Sequence, residues 1–358
     1  MNNSLLTSKR IDSLDWLRGL MAISIMAYHL SGMYFTQPDA SSFLGRMGIY
    51  GVSIFFILSG LSMAIVYHHT MNSIQSIMSF FVRRIFRIWP LLWVATILTV
   101  ILNYSAKTGI NWYKLWINLT TAFGFIEPRG YIATGAWSIG NEMVYYLLTP
   151  IFIFAYNYKK WLGDLLFAIT VGIGCYYCFY ALSPDIELGK QWKIYINPFN
   201  NLFLYTTGIA IFYNFKEVNF TKIENVALLL VTIGAFIFYP ISGNQSVLVA
   251  GIHRILLVII STGLVVAFYK FMIQIPRFID YPLEKFGIVT YGVYLLHPVV
   301  NNALSKIISL PGWGMAALVV IFTVQLSLGS YYYFELKLMK LGKRLTTPKS
   351  NKAQPKIQ

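Results

Sequence analysis

Charge is what this sequence has least of. Only 11% of its 358 residues are Asp, Glu, Lys or Arg, and just 13 of those are acidic, against about 25% charged residues in an ordinary soluble domain. With 57% of residues apolar and 17% aromatic, a soluble fold would have too few charges to cover its surface, and a disordered chain needs the opposite composition. There are two cysteines, Cys175 and Cys178, too few for a disulfide framework. Their C-x-x-C spacing lies in an apolar run where burial disfavours a reactive or metal-binding thiolate, so they read as small core residues. No Gly-rich nucleotide loop, heptad repeat, low-complexity region or metal-ligand spacing occurs, and no metal is expected.

What is present is a succession of long apolar runs. A helix needs about 20 mostly apolar residues to cross about 30 Å of hydrocarbon, and ten segments answer to that: Leu14–Tyr34, Ile49–Tyr67, Ile88–Leu102, Trp137–Tyr156, Leu162–Leu182, Phe199–Phe215, Val226–Ile241, Leu256–Ile273, Phe286–Asn302 and Trp313–Leu336. The fold class expected is therefore an all-α polytopic membrane protein of about ten transmembrane helices. Leu115–Ile126 is too short to span and reads as interfacial or re-entrant. Leu14–Tyr34 is too long for a signal-peptide core and lacks a small-residue cleavage site, so it stays as the first span.

The net charge of +15 would suggest nucleic acid in a soluble protein. Here it is topological information, and nucleic acid is excluded as a partner in favour of membrane lipid. With ten spans, 20 of the 28 basic residues fall on one side, among them Arg18, Arg83, Arg84 and Arg87, and eight on the other. The positive-inside rule then places both termini in the cytoplasm. Residues 1–342 read as one membrane domain and 343–358 as a basic, disordered cytoplasmic tail.

Ionisable groups inside hydrocarbon are costly and so are functional candidates. Arg18 and His29 share the first span, eleven positions apart, which puts them on one helix face about 16 Å from each other. Glu142 enters the fourth span at a depth similar to that of His29, where a carboxylate would fix the imidazole's tautomer or balance its charge. His297 precedes Pro298 in the ninth span and reads first as a structural, helix-bridging polar group. Arg83, Arg84 and Arg87 open the third span. Guanidinium forks bind phosphate oxygens in bidentate fashion, and Arg84 and Arg87 are neighbours on a helix surface. Trp112, Tyr113, Trp116 and Tyr131 suit stacking on sugar rings or an interfacial aromatic belt equally well.

Five motifs then line up in order. They are Leu14-Asp15-Trp16-Leu17-Arg18-Gly19 followed by Tyr28-His29; Gly51 to Gly60 in the second span; Arg83-Arg84-Ile85-Phe86-Arg87-Ile88-Trp89-Pro90; Trp137-Ser138-Ile139-Gly140-Asn141-Glu142; and Tyr291-Gly292-Val293-Tyr294-Leu295-Leu296-His297-Pro298. Together they resemble the acyltransferase-3 family of integral-membrane O-acyltransferases that modify bacterial surface polysaccharides. The family often has Gly where Trp16 stands and Asp where Ser53 stands, and Gly140 and Asn141 depart from its usual residues, but the ionisable core of each motif is intact. The resemblance implies transfer of an acyl group, most often acetyl from acetyl-coenzyme A as donor substrate, to a hydroxyl of a polysaccharide or lipid-linked sugar acceptor. It also implies a multi-pass location in the bacterial cytoplasmic (inner) membrane and, with no hydrolase-like domain after span ten, a stand-alone membrane enzyme. His29 and Glu142 become the catalytic candidates, and Arg18, Arg83, Arg84 and Arg87 the donor-binding ones. Asp15, Ser138, Tyr294 and His297 are further candidates. Whether His29 serves as general base or as nucleophile in an acyl relay is open, as are the acceptor sugar and the oligomeric state. The rival expectation is a transporter or flippase for a glycan or lipid-linked precursor, since midplane polar groups suit transport as well.

Overall fold

A computed structural model describes residues 11–105 and 109–347, and among them every regular element is helical. In chain order the helices are α1 (Asp12–Tyr34), α2 (Phe43–Tyr67), α3 (Ile74–Leu102), α4 (Trp112–Leu119), α5 (Phe123–Ile126), α6 (Ala136–Tyr158), α7 (Lys160–Tyr176), α8 (Trp192–Tyr195), α9 (Pro198–Phe215), α10 (Lys222–Ile237), α11 (Gly251–Tyr269), α12 (Arg277–Leu304), α13 (Gly312–Ser330) and α14 (Leu336–Thr346). π-helical turns extend α7 through Tyr177–Ala181 and join α13 to α14 through Tyr331–Glu335. Each of the ten expected spans has its helix. Five helical stretches are long and apolar enough to cross a membrane by length and composition: Phe43–Tyr67, Ile74–Leu102, Lys160–Ala181, Gly251–Tyr269 and Gly312–Thr346. Of the others, α1 carries Asp15, Arg18 and His29, α6 carries Glu142, α12 carries His297 and two prolines, α9 carries Asn200, Asn201 and a pair of threonines, and α10 is only 16 residues long.

Caps explain where the boundaries differ from expectation. The Ser42 hydroxyl accepts from Gly45 N at 2.9 Å and starts α2 at Phe43, six residues before the expected Ile49. A reciprocal Ser73–Ser76 capping box starts α3 at Ile74, so Arg83, Arg84 and Arg87 project from the middle of a helix and do not sit in a loop before it. Thr221 and Glu224 form a second capping box at the start of α10. Leu115–Ile126 breaks into α4 and α5 at Thr121, whose φ of 58° lies in the left-handed region. The helix of the last span runs on to Thr346, so Lys343 and Arg344, read as tail, are helical; Lys349, Lys352 and Lys356 lie outside the described residues, as do Lys9, Arg10 and Lys107. Cys178 is buried and donates to Gly251 O at 3.0 Å, in keeping with a packing role.

The helices alternate in direction. α1 runs antiparallel to α2, with Arg18 beside Ser62 and Ile25 beside Gly51. It runs parallel to α12, with Gly19 against Gly287, His29 against His297 and Tyr34 against Asn301. α3 is likewise parallel to α12, through Ile88–Tyr291 and Asn103–Asn302, and antiparallel to α14, through Arg83–Thr346. α6, α9 and α2 share one direction: Ser59 meets Glu142 and the His68 carbonyl meets Asn157, which in turn meets Tyr213. One end of the bundle therefore gathers Arg18, Arg84, Arg87, His68, Lys216, Lys270 and Lys285, and the other Tyr34, Asn103 and Asn301.

Two close crossings of small residues position the site. At α1–α12, a Cβ on Gly19 would stand 2.9 Å from the backbone nitrogen of Gly287. At α2–α9, a Cβ on Gly60 would fall onto the Tyr205 carbonyl, and one on Gly208 onto the Ile57 carbonyl. Glycine lets these backbones touch, bringing Arg18 and His29 of α1, Ser59 of α2 and His297 of α12 into one region.

Candidate active site

A cavity of about 460 Å³ opens among α1, α2, α3, α6 and α12 and the α13–α14 junction, within the range of about 300–1,000 Å³ usual for small-molecule sites. Its polar lining falls into two groups. Toward the basic end of the bundle stand Arg18, Arg84 and Arg87, and deeper in lie Ser59, Glu142, Tyr146, Ser138 and Tyr294.

Each arginine is braced by the fold. Arg18 Nη1 donates to Asp15 Oδ1 at 2.5 Å, one helical turn back, and its Nη2 reaches the hydroxyl of Ser62. Arg84 Nη2 donates to the Tyr67 hydroxyl at 3.2 Å, and the guanidinium carbon lies 5.6 Å and 5.9 Å from the ring centres of Tyr67 and Tyr146. Arg84 Nε is buried with no hydrogen-bond partner among the described residues, a donor held out of water and still unsatisfied. Arg87 Nη1 lies 3.1 Å from Met339 Sδ and 4.0 Å from the buried carboxylate of Glu335. Three cations with two carboxylates, Asp15 and Glu335, leave this part of the cavity suited to an anion with several oxygens. Arg83, grouped with them by sequence, is not in the lining. The helical turn carries its Nε to Thr346 Oγ1 of α14, 2.8 Å away.

The deeper group centres on Glu142, whose Oε1 accepts from both Ser59 Oγ and Tyr146 OH at 2.5 Å. Gly135, at φ +84°, occupies the left-handed N-cap of α6, and its carbonyl accepts from Ser138 Oγ and Tyr294 OH, each at 3.0 Å. Those two hydroxyls lie 2.8 Å apart. The Tyr294 ring packs edge-on against Phe55, and both side chains line the cavity.

His29 is placed differently from the sequence expectation. It does not meet Glu142; its Nδ1 lies 2.8 Å from Nε2 of His297, with the ring centres 5.1 Å apart and the ring planes inclined by 24°. The reason is tertiary. α1 packs along α12 through Gly19 and Gly287, which brings His29 onto His297, whereas Glu142 is engaged by α2 through Ser59. Neither histidine belongs to the cavity lining, yet His297 follows the lining residue Tyr294 by three positions on α12, about 4.5 Å along the axis. His297 Nδ1 in turn meets the Val293 carbonyl at 2.9 Å, and Pro298, with no amide hydrogen, leaves the neighbouring Tyr294 carbonyl without its helical donor.

Thus Asp15, Arg18, Arg84, Arg87, Ser138, Glu142 and Tyr294 meet around one cavity, His29 and His297 pair one turn beyond it, and Arg83 stands apart. Sequence reasoning missed Ser59, Ser62, Tyr67, Tyr146 and Glu335. Glu335 had a readable signal, an acid inside the expected tenth span, and Tyr146 stands four residues after Glu142 on the same helix face. The hydroxyls of Ser59 and Ser62 carried none, because serines are common in membrane helices. Trp112, Tyr113 and Trp116 are exposed on α4, away from this cavity, while Tyr131 accepts from Trp192 Nε1 at 3.0 Å.

Known proteins resemble this chain over most of its length. The chain is 22% identical over 367 residues to peptidoglycan O-acetyltransferase OatA of Listeria monocytogenes, an alignment covering 93% of this chain and 56% of that protein. It thus spans little more than half of that relative's length. It is 23% identical over 313 residues to a protein of Acidianus two-tailed virus named "Putative acetyltransferase ORF330", covering 84% of this chain and 86% of that one. No solved structure matches. The profile of the acyltransferase-3 family, described as an acyltransferase domain, matches residues 11–332, and with the motif residues of α1, α2, α3, α6 and α12 assembled around one cavity the chain belongs to the acyltransferase-3 family.

Proposed function

We propose that the protein is a membrane O-acetyltransferase that takes an acetyl group from acetyl-coenzyme A on the cytoplasmic side and delivers it to a hydroxyl of a cell-surface or lipid-linked polysaccharide. The observation that carries this reading is the cavity's polarity along its length: three arginines at one end, hydroxyls and Glu142 within, and a pair of imidazoles one helical turn past the other end. The two relatives, one named for O-acetylation of peptidoglycan and one for acetyl transfer, support the reaction class.

In this reading the chain crosses the bacterial cytoplasmic membrane ten times with both termini inside. The alternating helix directions and the gathering of basic groups at one end support that topology. The 3′-phosphate and diphosphate of the donor lie on Arg18, Arg84 and Arg87, displacing the loose contact of Glu335 with Arg87. The volume suits the pantetheine arm and its acyl group, with the nucleotide left at the mouth. Ser59, Tyr146 and Glu142 face the amides of that arm, a role for Glu142 in place of the expected contact with His29. Tyr294 and Phe55 stand between the thioester and the histidines, so a shift of the Tyr294 side chain brings donor and imidazole together.

At His29 the acceptor oxygen attacks the thioester carbonyl carbon, the carbon–sulfur bond breaks with its electron pair on sulfur, and the hydroxyl proton passes through the imidazole to the thiolate. Alternatively the imidazole nitrogen attacks the thioester carbon first and the carbon–sulfur bond breaks to release the thiolate. The acceptor oxygen then attacks the acyl-imidazole carbon, the carbon–nitrogen bond breaks with its electron pair on nitrogen, and the hydroxyl proton goes to the released thiolate. The test is His29→Ala in purified protein supplied with radiolabelled acetyl-coenzyme A. Donor consumption is expected to vanish while the thermal midpoint in detergent stays within a few degrees of wild type. Undiminished product from that variant would refute both routes, and glycan crossing the membrane without donor consumption would favour transport.

A further inference from the structure

We infer that His297 is the positioning residue that fixes the tautomer of His29 and presents the lone pair of His29 Nε2 to the reacting groups. This deepens the acetyl-transfer reading and rests on it. The carbonyl of Val293 can only accept, so at 2.9 Å it requires the proton of His297 on Nδ1. A neutral imidazole has one N–H, so His297 Nε2 is an acceptor, and the nitrogen facing it at 2.8 Å, His29 Nδ1, is the donor. The lone pair of His29 is thereby left on Nε2.

The surroundings keep both rings neutral in the resting state. They stand beside an apolar cluster that includes Met26, Leu30, Val289 and Val293, and the nearest acid expected from sequence, Glu142, is bonded elsewhere. The rings also divide the work by exposure. His297 is 1% exposed, behind His29, which is only partly buried, so substrate meets His29 and not His297. Pro298 and the close α1–α12 crossing at Gly19 and Gly287 hold the pair in register. When the acceptor hydroxyl gives its proton to His29 Nε2, the imidazolium that forms keeps its Nδ1–H on His297, which stabilises the charge without moving a heavy atom. In the relay route the same geometry makes Nε2 the acylated atom.

The experiment pairs kinetics with nitrogen NMR on protein labelled only at its five histidines, the His29 signals being assigned by their loss in His29→Ala. Wild type is expected to show His29 with its bare nitrogen at Nε2. His297→Gln keeps an acceptor oxygen where Nε2 stood and is expected to retain kcat within about tenfold. His297→Leu removes the acceptor and is expected to lower kcat by about 10²–10⁴, with KM for acetyl-coenzyme A little changed and both His29 tautomers visible. The inference is overturned if His29 carries its lone pair on Nδ1, if His297→Leu keeps wild-type kcat, or if His297→Gln falls as far as His297→Leu while both stay folded. Because the NMR readout needs no turnover, a wild-type protein that fails to consume acetyl-coenzyme A would sink the acetyl-transfer reading and leave the tautomer assignment separately decided.

Discussion

Replacing Arg84 by Met separates recognition of the donor's phosphates from everything else in the cavity. The guanidinium is pre-positioned between Tyr67 and Tyr146, fixed by the hydroxyl of Tyr67 at 3.2 Å, and keeps a buried Nε donor unsatisfied. Binding to a phosphate therefore needs little new ordering. A hydrogen bond to a charged group contributes about 1.5–3 kcal/mol, and about 1.4 kcal/mol is a factor of ten, so loss of Arg84 should raise KM for acetyl-coenzyme A about 10- to 100-fold. The methionine preserves the apolar stem against both rings, and the freed Tyr67 hydroxyl costs about 1 kcal/mol of stability. Arg84→Lys keeps the charge but not the planar fork and should fall between the two. The assay is steady-state transfer with two donors, acetyl-coenzyme A and S-acetyl-pantetheine, which lacks the nucleotide and its phosphates. Wild type should prefer the full donor strongly, and Arg84→Met should lose most of that preference while treating S-acetyl-pantetheine as wild type does. An equal loss on both donors would refute the phosphate role and place Arg84 in support of Tyr146 and Glu142 instead.

Two further outcomes concern the architecture of the site. Gly208→Val should destabilise the α2–α9 crossing by about 1–3 kcal/mol or more, since overpacking there meets backbone and not a movable side chain; an unchanged thermal midpoint in detergent would contradict the close approach. Glu142→Ala strands the hydroxyls of Ser59 and Tyr146 and should cost about 1–3 kcal/mol beyond Glu142→Gln, which keeps one acceptor oxygen. Equal midpoints for the two variants would show that the carboxylate does not hold that network.

How much could be read from the chain varies with the kind of residue. Arg18, Glu142 and His29 announced themselves because an ionisable group in an apolar run is expensive, and all three lie in or next to the site. Glu335 met the same criterion and was overlooked because it stands at the end of its run, among tyrosines. Arg83 was grouped with Arg84 and Arg87 by adjacency, but on a helix adjacent residues point about 100° apart, so Arg83 turns to Thr346 of α14 while Arg84 faces the cavity; Arg87, one turn on from Arg83, lines the cavity beside Met339. That the arginines were expected at a helix mouth and lie in the middle of one followed from a missed serine capping box at Ser73 and Ser76.

The sequence by itself determined that lipid is this protein's solvent, the order of its apolar helices and the motif residues that mark its family, because composition and periodicity are local properties. Only the tertiary structure decided the partners: His29 with His297 and not with Glu142, Glu142 with Ser59 and Tyr146, Glu335 with Arg87. Helical periodicity says which residues share a face, but which face meets which depends on where glycines let two distant helices touch. Here the contact of Gly19 with Gly287, 268 positions along the chain, sets the imidazole pair.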